Sequence, residues 1–91
     1  MIFEWDERKA RTNLKKHGVR FEEAASVFRD PLSLTVADSE HSESEDRFLD
    51  VGMSEQGRLL VVSYTERGSL IRIISCRQAM PLERKAYEKE Y

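Results

Sequence analysis

A chain of 91 residues, 40% hydrophobic and 35% charged, can form one domain around one modest core with a heavily charged surface. Its net charge of −2 argues against a generic basic nucleic-acid coat, and no apolar run approaches the roughly 20 residues that span a bilayer. The single cysteine, Cys76, excludes an internal disulfide, and with no signal-peptide pattern at the start the expected location is cytoplasmic.

The charge is unevenly spread: +3 over residues 1–20, −7 over 21–50 and +2 over 51–91. A polyanion could bind where the two basic segments meet, leaving the acidic middle elsewhere. Ile2–Trp5 reads as a short opening strand. Asp6 stands where an N-cap would, and a basic helix follows over Glu7–His17. Lys15, Lys16 and His17 suit the negative end of its dipole, and Gly18 suits its C-terminus. Phe21, Ala24, Ala25 and Phe28 form one apolar stripe of a second helix over 21–28, which Asp30-Pro31 ends.

Ser33–Ala37 is a candidate strand, and Asp38–Asp46 an exposed acidic loop. Asp38, His41, Glu43 and Glu45 there match no familiar metal spacing, so no metal or other cofactor is expected. Arg47–Ser54 and Arg58–Glu66 are further strands. Arg67-Gly-Ser69 turns tightly into Leu70–Arg77, and Pro81 opens a closing helix over 82–90. The order β-α-α-β-β-β-β-α predicts a single α+β domain over 1–91. Two N-terminal helices pack on a mainly antiparallel sheet, whose other face is partly open and flanked by the closing helix.

Arginines are the chemically informative residues. Regular alternation would put Leu70, Arg72, Ile74 and Cys76 on one face and Ile71, Ile73, Ser75 and Arg77 on the other. An arginine in such a strand must reach water, a carboxylate such as Glu66 or Glu83, or an anionic ligand. Arg47, Arg58 and Arg67 lie on or beside the same strands, so several guanidinium groups could converge on phosphate. Arg72 and Arg77 could serve one site only if the strand bends, bulges or ends between them. His17, Lys16 and Tyr64 are candidates for proton transfer or substrate positioning, although His17 could equally cap its helix and Tyr64 equally pack in the core. Glu83 and Tyr87 share a face of the closing helix. Cys76 reads as a buried structural thiol.

Several blocks occur together: Phe3-Glu-Trp-Asp6, Asn13-x-x-Lys16-His-Gly-Val19, Phe21-Glu-Glu-Ala24, Val27-Phe28-x-Asp30-Pro31, Asp38-x-x-His41, Glu45-x-Arg47, Gly57-Arg58, Arg72-Ile-Ile-Ser75 with Arg77, and Glu83-Arg84 through Tyr87. In these the chain resembles the BrnT family of type II toxins. The resemblance implies a fold similar to RelE-type ribonucleases and a toxin that cleaves RNA without metal and blocks translation. It also implies neutralisation by a BrnA-like antitoxin, through which alone the complex would bind operator DNA and repress its operon. Arg77, Arg72, Arg47, Arg58, His17 and Tyr64 are then the candidate catalytic residues. Lys16, Lys15, Arg67 and Tyr87 are the candidate RNA contacts. Gln78 departs from the family's usual second arginine. The alternative is a degenerate, non-catalytic member acting only in a repressor complex.

Overall fold

The computed structural model of the chain describes residues 1–41 and 45–89. Asp6 caps the first helix, α1 (Glu7–His17), by accepting the Arg8 and Lys9 N–H groups at 2.8 and 3.1 Å. Gly18, at φ 69°, closes it by donating to the Leu14 carbonyl at 2.9 Å. The second helix, α2 (Phe21–Ser26), is shorter than the apolar stripe suggests and tightens into a 3₁₀ turn over Val27–Arg29. Ser26 contributes to that ending. Its hydroxyl donates back to the Glu23 carbonyl at 2.6 Å and accepts the Glu55 N–H at 2.9 Å.

Five strands follow the order β1-β5-β4-β3-β2 across one sheet. They are β1 (Ile2–Glu4), β2 (Leu34–Ala37), β3 (Arg47–Met53), β4 (Leu59–Arg67) and β5 (Leu70–Gln78). β1 pairs with β5 in parallel and every other pair is antiparallel, so the α+β reading holds. β1 stops before Trp5, whose ring instead packs edge-on to Phe21 at 5.9 Å. The acidic stretch after β2 contains a short 3₁₀ turn over Ser39–His41, and its residues 42–44, including Glu43, lie outside the described residues.

One face of the sheet carries Leu60, Val62, Tyr64, Ile71, Ile73 and Cys76. It packs against Val19, Phe21, Ala24 and Val27 to form the core. Gly52 of β3 is a point of close approach: a Cβ there would meet Ser33 Cβ and Val27 Cγ1 at 2.9 Å. The last helix, α3 (Pro81–Glu88), is pinned by Tyr87, whose hydroxyl donates to Asp30 at 2.7 Å.

The main departure from the sequence reading lies in β5. Ser63 of β4 is opposite Ser75 but Tyr64 is opposite Ile73, so Ile74 is an extra residue in β5. Alternation resets at this bulge. Ile71, Ile73 and Cys76 face the core, correcting the expectation that Cys76 lies beside Leu70 and Arg72. Arg72 is opposite Thr65 and Arg77 opposite Val61, two β4 positions four residues apart and therefore on one side. Arg72 and Arg77 thus share the face that α1 and α2 leave open.

Candidate catalytic face

The cross-strand register aligns Glu4, Arg72, Thr65 and Arg47 in one row across four strands. Below it runs a row of Leu49, Ser63 and Ser75, and then one of Val51, Val61 and Arg77. The two outer rows place arginines at opposite ends of a shallow polar floor of Ser63 and Ser75. Arg67, at the end of β4, adds a further cation beyond the first row.

These arginines are oriented by carboxylates. Arg72 Nη1 donates to Glu4 Oε2 at 2.9 Å. Arg67 forks onto Glu45 with Nε and Nη2 at 2.9 and 2.8 Å. Arg77 forks onto Glu83 at 2.7 Å for both bonds, and Glu83 also accepts the Met80 N–H at the start of α3. The Glu83 bonds push the Arg77 guanidinium pKa further up, and Arg77 holds the Glu83 carboxyl below its ordinary range. Each guanidinium is therefore aimed, with about a third to a half of its side chain exposed: 30% for Arg72, 33% for Arg77 and 47% for Arg67.

The end of α1 forms the rim. His17 is half-buried between two recesses. One, of about 240 Å³, is shared with Val61, Ser63, Ser75 and Arg77. The other, of about 290 Å³, is lined by Arg8, Lys9, Thr12 and Lys16. The helix thus brings His17 beside Arg77 and Ser75, with Lys16 alongside and Lys15 exposed on the next position. Arg8 and Lys9, about two turns earlier on the same side of the helix, extend the basic rim; their i, i+8 spacing with Lys16 and His17 is a signal present in the sequence.

Three residues nominated from sequence lie elsewhere. Tyr64 is 3% exposed and points into the core, where its hydroxyl donates to Asp50 at 2.8 Å. Burial, reinforced by Asp50, pushes the phenol pKa well above its ordinary value, so it keeps its proton. Arg58 lies on the helix-covered side. It binds Glu23 through Nε at 2.9 Å and through Nη2, and also donates to the Gly18 carbonyl at 3.1 Å. Glu23, only 8% exposed, takes a further bond from Ser54 at 2.7 Å, so this cluster ties α2 to the end of α1 and to the β3–β4 turn. Tyr87 is buried on Asp30 and presents no ring to solvent. Arg47 is half-buried beside Thr65, on the open face.

Among the described residues no group of three or more histidine, cysteine, aspartate or glutamate side chains is placed to hold a metal ion. Nor is any helix among them long and apolar enough to cross a membrane. The arrangement supplies permanent cations, hydroxyls and one imidazole around an open polar surface. That set suits a phosphodiester.

Comparison with known proteins agrees with this chemistry. Residues 5–83 match the family model described as the ribonuclease toxin, BrnT, of type II toxin–antitoxin systems. The crystal structure of the Brucella abortus ribonuclease toxin BrnT superposes with a TM-score of 0.66 at 23% identity, covering 88% of this chain and 99% of that one. At that identity the likeness bears on the fold. No curated protein sequence matches.

Proposed function

The chain belongs to the BrnT family of ribonuclease toxins of type II toxin–antitoxin systems, and we propose that its open sheet face cleaves RNA without a metal ion. The observation that carries this reading is the bulge at Ile74, which puts Arg72 and Arg77 on one face, with Arg77 beside His17. The 2′-hydroxyl attacks the adjacent phosphorus, the bond to the 5′-oxygen breaks, and a 2′,3′-cyclic phosphate remains. Arg72 and Arg77 fork onto the non-bridging oxygens and stabilise the charge that grows in the phosphorane. Arginine stays protonated, so it cannot take the hydroxyl proton. His17 is the imidazole on this face, beside Arg77 and Ser75, so it removes that proton, and the Lys16 ammonium protonates the departing oxygen. Arg47, Arg67 and Lys15 hold flanking phosphates.

Membership of such a family implies an antitoxin partner and an RNA substrate. We assign the first to a BrnA-like protein that covers the basic face, carries the DNA-binding part and acts with the toxin in the cytoplasm to repress their operon. The carboxylates of Glu4, Glu45 and Glu83 on these arginines favour one second reading, a member whose ion pairs serve only its scaffold and whose role is confined to the repressor complex. Incubating the purified toxin with RNA in excess EDTA separates the two. Cleavage should persist, leave cyclic or 3′-phosphate ends, and fail where the sugar at the cut site is 2′-deoxy. Activity lost in EDTA and restored by a divalent ion would overturn the mechanism, and no cleavage at all would favour the scaffold reading.

A further inference from the structure

We propose that Asn13 is a positioning residue whose side-chain amide locks β5 in the register that keeps Arg72 and Arg77 on one face; its catalytic meaning rests on the function proposed above. β1 covers the outer edge of β5 only as far as Arg72, so the strand would continue beyond it with open backbone groups. Asn13 takes the place of the missing strand. Its Nδ2 donates to the Cys76 carbonyl at 2.8 Å while its Oδ1 accepts the Cys76 N–H at 2.9 Å. The second Nδ2 hydrogen goes to the Val19 carbonyl at 2.9 Å, so both donor hydrogens are used.

Three observations make this a register lock rather than general packing. Asn13 is the one buried residue of α1, at 5% exposure, and Ala10 is only partly buried against the core, so a polar side chain makes the deepest seat of this helix on β5. The grip falls just after Ile74, where the register changes. Finally, backbone groups alternate in direction along a strand, so only every second residue offers both its N–H and its C=O to the outer edge. A shift of one residue would offer Asn13 the wrong groups, turn Cys76 out to the open face and turn Arg77 inward. That slipped state is the regular, bulge-free strand suggested by simple alternation of the sequence.

Cys76 is the chain's only cysteine and is 1% exposed, which makes its thiol a reporter of register that does not depend on catalysis. In Asn13→Ala, three buried backbone groups lose their partner. Labelling of Cys76 by a soluble disulfide reagent in the folded protein should quicken by roughly tenfold to a hundredfold, beyond the rate that global unfolding allows. Asp6→Ala weakens α1 by removing its cap bonds to the Arg8 and Lys9 N–H groups and takes no hydrogen bond from β5, so its labelling should follow global unfolding alone. On RNA, Asn13→Ala should lower kcat more than it changes KM. Adding Arg77→Ala to it should lower kcat by less than Arg77→Ala does in the native background. If Asn13→Ala does not fold, Asn13→Ser is judged by the same criteria. Labelling no faster than global unfolding predicts, or arginine effects that simply add, would overturn the lock. A native chain that leaves RNA intact while its Asn13 variant labels quickly would sink the ribonuclease reading and leave the register lock standing.

Discussion

Replacing Arg58 by alanine tests most directly which arginines build the fold and which serve the open face. The substitution removes the Nε and Nη2 bonds to Glu23 and the bond to the Gly18 carbonyl, leaving a carboxylate only 8% exposed with Ser54 as its remaining partner in the cluster. Removing one member of a buried pair costs about 3–5 kcal/mol, and the lower end applies because the Arg58 side chain is 34% exposed. For a domain of this size about 3 kcal/mol corresponds to a fall in Tm of roughly 10–25 °C. The pH dependence should change sign. In the native protein Arg58 holds the Glu23 carboxyl below 4.5, so its contribution is present above that value and is lost as pH falls through the folded pKa. Without Arg58, desolvation raises the folded pKa, and lowering the pH then relieves a penalty instead of removing a benefit. Thermal melts followed by circular dichroism between pH 3 and 7 would show both effects. A variant that melts like the native protein but no longer cleaves RNA would refute this assignment and return Arg58 to the catalytic set.

Arg72→Ala and Arg77→Ala should each lower RNA cleavage by about 10²–10³-fold, by analogy with losing a transition-state donor, in protein that still folds and binds its antitoxin; cleavage within threefold of native would remove that arginine from the site. Gly52→Ala should destabilise by about 1–3 kcal/mol, because its methyl would lie 2.9 Å from Val27 and Ser33, and urea titration would read this directly. Burial raises the Asp50 carboxyl above 3.8, so native stability contains a penalty that grows as pH rises from there through the folded pKa. Asp50→Asn keeps an oxygen acceptor for Thr35 and Tyr64, so it should raise Tm at pH 7 and flatten that slope; a lower Tm at pH 7 would count against it.

The order of elements was readable because its signals are local: the Asp6 cap, the Gly18 turn, the proline after α2 and β-branched runs separated by short turns. What could not be read is set by partners distant in sequence. Arg58 and Tyr64 look like site residues until Glu23, 35 positions away, and Asp50 are found beside them. The bulge was recognisable as a requirement for joining Arg72 to Arg77, but not as a fact. Alternation in Leu70–Arg77 is continuous in either register, and the groups that choose between them, Asn13 and the pairing with β4, lie outside the strand. His17 could be nominated for its chemistry, yet its place beside Arg77 follows from α1 crossing β5.

The carboxylates on the open face lead to a last prediction, because a phosphate must share or displace them. Glu83 illustrates the competition: it forks onto Arg77 with the geometry a phosphate would use, and it also caps α3 through Met80. Glu83→Gln keeps one acceptor oxygen for the helix cap but removes the negative charge beside the proposed phosphate position. One unit charge at about 4 Å amounts to ~1 kcal/mol even in water, so RNA binding at low salt should tighten at least about fivefold. Turnover should move the other way. Arg77 loses the fork that aims it, and a cation that binds the ground state more tightly without better aim does not speed the chemical step. Binding measured on a 2′-deoxy substrate analogue, beside single-turnover cleavage of the native RNA, would show the two effects separately. Weaker binding in Glu83→Gln would mean that Arg77 does not meet phosphate, and that the Arg77–Glu83 pair only holds α3 to the sheet.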